Sequence, residues 1–68
     1  MINIEKLKRE LPEGTRIELI HINDEFCKLM KGDKGTVECV DDIGQIHVQF
    51  DDSIRIGLDI EEDSFVTI

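Results

Sequence analysis

Tryptophan and tyrosine are absent from this chain, phenylalanine occurs three times and proline once. Grooves that grip proline-rich peptides are lined with Tyr and Trp, and single-stranded nucleic acid is held on stacked aromatics in a basic groove, so neither activity is expected. Basic residues are scarce as well. Eight Lys and Arg against sixteen Asp and Glu give a formal net charge of -8, which repels phosphate backbones at long range and argues against duplex nucleic acid as a ligand. There is no run of about 18 apolar residues and no charged-then-apolar leader, because the charged stretch Glu5 to Glu10 follows the N-terminus directly. A cytoplasmic protein with no membrane association is the expectation. Cys27 and Cys39 lack the close spacing of a zinc knuckle or redox pair and read as two reduced thiols.

What is present is enough for one domain, residues 1–68, with hydrophobic residues spread along the whole length. Ile4, Leu7 and Leu11 fall at i, i+3 and i+7 and share one helical face, while Glu5 and Arg9 can pair at i, i+4 on the other. This predicts a short N-terminal helix over 1–11, capped by Asn3 and ended by Pro12 and Gly14. From Thr15 the period changes to two. Strands are predicted near 15–22, 35–41, 45–50, 54–59 and 64–68, a mainly β pattern of a small antiparallel barrel or sandwich. Alternation assigns Ile17, Leu19, Val37, Cys39, Ile46, Val48, Phe50, Ile54, Ile56 and Leu58 to the core, and Glu18, Glu38, Gln45, His47, Gln49 and Arg55 to the other face. By the same parity His21 reads as half-buried at the rim.

Asp41-Asp42-Ile43-Gly44, with Gly44 at positive φ, and Asp51-Asp52-Ser53 read as tight hairpins. Asn23 to Lys34 has no strand pattern, and a loop of that length in so small a domain is more often functional than accidental.

The stretch Gly32-Asp33-Lys34-Gly35-Thr36-Val37, followed by Val40 to Val48, resembles an uncharacterised family of short proteins, a domain of unknown function found in Gram-positive phages and conjugative elements. The resemblance runs from about Pro12 to Phe65. It implies a five-stranded SH3-like barrel over 15–68, with a Gly-Asp-x-Gly-x-Val turn similar to the KOW motif of ribosome and transcription-factor domains, and it implies no activity. The chain departs from the family pattern at Lys31, where a proline is usual, at Phe50, where a tryptophan is usual, and at Ile60-Glu61, where a Pro-Gly is usual.

Catalysis needs a nucleophile or base held by neighbours in a water-excluding cleft, and two histidines with no partner arrangement predict no enzyme. A zinc site built from His21, Cys27, Cys39 and His47 would require an outward His47 and an inward Cys39 to converge, which alternation opposes. The third strand separates Asp41-Asp42 from Asp51-Asp52 by roughly 20 Å, too far to chelate one ion. In a simple meander Asp41, Asp42, Asp59, Glu61, Glu62 and Asp63 gather at one end of the barrel, where a solvated acidic rim is the plainer reading and a cation site the sharper one.

The opposite end holds the long loop, with Phe26, Lys28, Leu29, Lys31 and Lys34, and the Asp51-Asp52 turn. Its glycine amides and lysines could cradle a phosphate, although Asp24, Glu25 and Asp33 cancel the lysine charge. Phe26 and Leu29 either form a binding surface or fold back to cap the barrel. The functional expectation is a small binding module that needs no cofactor and acts through protein–protein contact, using an acidic end or an edge strand. The alternatives are a counter-defence protein sequestering a nucleotide signal or host factor, and KOW-like contact with RNA or the ribosome.

Overall fold

The computed structural model describes residues 3–23 and 28–68. Asn3 lies in extended backbone, and its side chain accepts the Lys6 amide at 3.0 Å, satisfying one of the donors left open at the start of α1 (Ile4–Glu10). Leu7 and the following Leu11 are buried and Ile4 is half-buried, so the predicted face is the one that meets the core. The i, i+4 ion pair of the exposed face joins Lys6 to Glu10 at 3.9 Å, not Glu5 to Arg9.

Five strands follow: β1 (Arg16–His21), β2 (Lys34–Val40), β3 (Gln45–Phe50), β4 (Arg55–Asp59) and β5 (Ser64–Thr67). The fold is therefore mainly β, with one short helix at the N-terminus. The sheet order is β4-β3-β2-β1-β5, every pair antiparallel. The first four strands form a meander, and β5 returns to the far side of β1. β4 and β5 share no ladder, so the sheet is open where a closed barrel would join them.

Ile17, Leu19, Val37, Ile46, Val48, Phe50 and Leu58 are essentially inaccessible to solvent, and Leu7, Leu11, Leu29 and Val40 complete the core. Ile54 and Ile56, expected inside, are only partly buried and pack against its edge. Two β-bulges correct the parity elsewhere. In β2, Val37 faces Val48 and Cys39 faces His47, so one extra residue, Glu38, is inserted against a single step of β3. Cys39 is therefore exposed, not buried, and the inward position passes to Val40. In β1 the register shifts between Leu19 and His21, which leaves His21 exposed and turns Ile22 toward the core.

The Gly-Asp-x-Gly stretch has a backbone explanation. Gly32 sits at φ +97, in the left-handed region that side chains disfavour, while a Cβ on Gly35 would lie 2.7 Å from Val48 Cγ1 and 3.1 Å from Phe50 Cα. The first glycine makes the turn and the second lets β2 approach β3. Gly44 closes the β2–β3 hairpin at φ +85. Among the described residues no helix is long and apolar enough to cross a membrane.

Candidate functional site

The acidic residues mostly build turns. Asp41 Oδ1 accepts the Ile43 and Gln45 amides, and Asp41 Oδ2 lies 2.8 Å from His47 Nε2. The bond to His47, then those amides, hold the Asp41 carboxyl below the usual range. Asp42 accepts Lys8 Nζ at 2.8 Å, which ties the β2–β3 turn to α1 and raises the lysine above its ordinary value.

Asp59 accepts the Glu61 amide, whereas Asp63 accepts the Asp59 amide at 2.9 Å and the Asn23 amide at 2.8 Å. Asp59 thus lies beside Gln45, close to the Asp41 turn, but Asp63 is bound to the end of β1 where the long loop starts. Asp41, Asp59 and Asp63 are thus linked through Gln45 and the Asp59 amide, and Asp63 also reaches the end of β1. Glu61 and Glu62 are exposed on that turn.

In the long loop, Lys28, Lys31 and Lys34 are exposed and Leu29 is 5% exposed, packed into the core as a cap and not displayed. Phe26 and Cys27 lie outside the described residues, as do Asp24 and Glu25. The Met30 amide donates to Asp33 Oδ2, the Gly32 amide to Leu19 O and the Asp33 amide to Met30 O, so these three are already engaged and do not form a phosphate cradle. At the neighbouring β3–β4 turn, Asp51 takes both arms of the Arg16 guanidinium at 2.7 and 2.8 Å, which lowers its carboxyl below the usual range, and Asp52 accepts the Ile54 amide.

The β2 bulge brings Cys39 opposite His47 on the outer face, where alternation alone had separated them. Even so, among the described residues no three His, Cys, Asp or Glu side chains converge on a position that could hold a metal ion.

The feature that parity did not reveal is a groove of about 630 Å3 between α1 and β5. Leu7, Glu10 and Leu11 form one wall, residues 64–67 form the other, and Ile60 stands at the mouth beside Asp63. Two of the exposed large hydrophobic residues line the groove, Ile60 at 43% and Val66 at 46%, and Ile68 follows β5, whereas Met30 and Ile43 are exposed elsewhere. Among the described residues β5 is bonded to β1 alone, so its other edge is open. Exposed apolar residues beside an unpaired strand edge are an unusual surface for so small a domain. The sequence held one signal for it, the charge-free run Ser64 to Ile68 after a cluster of acids.

Fold and surface together define a small antiparallel β domain with a helix-flanked edge groove. A family model described as a domain of unknown function, DUF4314, matches residues 2–68, and the chain belongs to that family. No curated protein and no solved structure matches the chain.

Proposed function

We propose that this chain is a non-enzymatic binding module that acts through protein–protein contact at the α1–β5 groove. The observation behind this reading is that exposed Ile60 and Val66 line the groove beside the open edge of β5. An apolar strip of this kind, rimmed by acids, suits a protein partner better than a nucleotide or a nucleic acid. The strand order and the Gly32 to Gly35 turn support reading the fold as an open form of the SH3-like barrel with a KOW-like turn. The setting in a phage or mobile element rests on the resemblance alone. A net charge of -8 weighs against RNA contact, and the engaged loop amides weigh against nucleotide capture.

Pull-downs from the native cell test this at matched thermal stability. Replacing Ile60 and Val66 together by Lys is expected to remove the partner, while Ala at Gln45, His47 and Gln49, or at Lys28 and Lys31, keeps it. Loss of the partner only with the strand-face set sinks the proposal. A nucleotide that raises the melting temperature by mass action would establish the sequestration reading in its place.

A further inference from the structure

The sheet has two open edges, and they differ. At the end of β4 the backbone groups of Asp59 are already engaged: its amide donates to Asp63 Oδ2 and its carbonyl accepts the Glu62 and Asp63 amides. Arg55 and Asp59 also place charges at both ends of that strand. Such devices keep an edge from pairing with another chain. β5 carries none of them within Ser64–Thr67: no proline and no charge.

Its hydrogen-bonding direction follows from the ladder. The Ile68 amide donates to Arg16 O at 3.0 Å, and in an antiparallel pair alternate residues address the same neighbour. Val66, opposite Glu18, therefore faces β1, and the N–H and C=O groups of Phe65 and Thr67 point to the open edge. These groups line the groove, with Leu7, Leu11 and Ile60 beside them. The charge at the groove is negative. Glu10 and Asp63 line it, Glu61 and Glu62 are exposed on the adjoining turn, no Lys or Arg is among its lining residues, and Lys6 lies 3.9 Å from Glu10.

We infer that the groove takes an extended segment of a partner protein, added as a sixth strand along β5, with apolar residues at alternate positions and Lys or Arg on its flanks. This rests on the groove reading above and specifies its occupant. Backbone bonds to Phe65 and Thr67 supply register, alternate side chains fill the cleft against Leu7, Leu11 and Ile60, and the basic flanks meet the acidic rim.

The probe is a displayed library of random dodecapeptides selected on the full chain, followed by synthesis of the recovered peptides. The expected consensus alternates apolar residues and ends in Lys or Arg, and its affinity falls as salt rises. On binding, hydrogen exchange of the Phe65 and Thr67 amides slows at least tenfold, a readout that needs no variant. Thr67→Pro removes an edge donor while leaving the bonds of Val66 to β1, and is expected to weaken binding at least tenfold. Recovery of no consensus, recovery of acidic peptides, or binding without protection of Phe65 and Thr67 overturns strand addition. If the library fails while Ile60 and Val66 variants still lose a cellular partner, the groove reading stands and the extended occupant does not.

Discussion

The Asp63 carboxylate holds the amides of both Asn23 and Asp59, at 2.8 and 2.9 Å, and so joins the end of β1 to the end of β4 across the turn that launches β5. One side chain thereby fixes the mouth of the groove. Asp63→Ala leaves two amides without their acceptor, and a loss of about 1–3 kcal/mol is expected in denaturant unfolding. An unchanged midpoint would mean that water replaces the carboxylate at no cost.

The Asp41 carboxylate makes stability depend on acid pH. Its folded value is depressed, first by the bond to His47, so its contribution is complete above the ordinary carboxylate value and is lost as pH falls through the folded one. The melting-temperature gap between parent and Asp41→Asn should be open at about pH 5 and close as pH falls below about 4. A gap that persists unchanged well below that contradicts the assignment.

Exposure of Cys39 follows from the β2 bulge. Thiol labelling of a Cys27→Ser variant, which leaves Cys39 as the reactive group, should proceed in the native state within about tenfold of the rate in denaturant. Protection of a thousandfold would restore the regular alternation and remove the bulge.

This is also where sequence reasoning stopped. Ile17, Leu19, Val37, Ile46, Val48, Phe50 and Leu58 were legible because each alternates cleanly with polar neighbours. Cys39 and His21 were not, since a bulge is a property of two paired strands and one extra residue inverts everything beyond it. Leu29 could be read only as one of two options, and packing chose the core. Asp63 is bound to Asp59, at the end where a meander places it, and its second bond, to Asn23 at the end of β1, is a contact between distant segments that no local pattern shows. The open edge of β5 depends on which strands pair last, and no local pattern encodes that.

Packing of α1 and of β2 against β3 sets the stability of so small a core. Leu7→Ala should cost about 2–5 kcal/mol and Gly35→Ala about 1–3 kcal/mol, the second because its Cβ would press on Val48 and the β3 backbone. Lys8→Ala, which removes only an exposed ion pair to Asp42, should change little beside them. Chemical denaturation of the three variants ranks them directly, and a Leu7→Ala midpoint equal to the parent's would detach the helix from the core.

Site-specific photo-crosslinking in the native cell tests the binding claim most directly. A photoreactive residue at Ile60 should yield a discrete protein adduct that excess unlabelled chain competes away, while the same group at Gln49, on the outer face of β3, yields none. An adduct at Gln49 or Lys31 with nothing at Ile60 would place the partner elsewhere and contradict the groove.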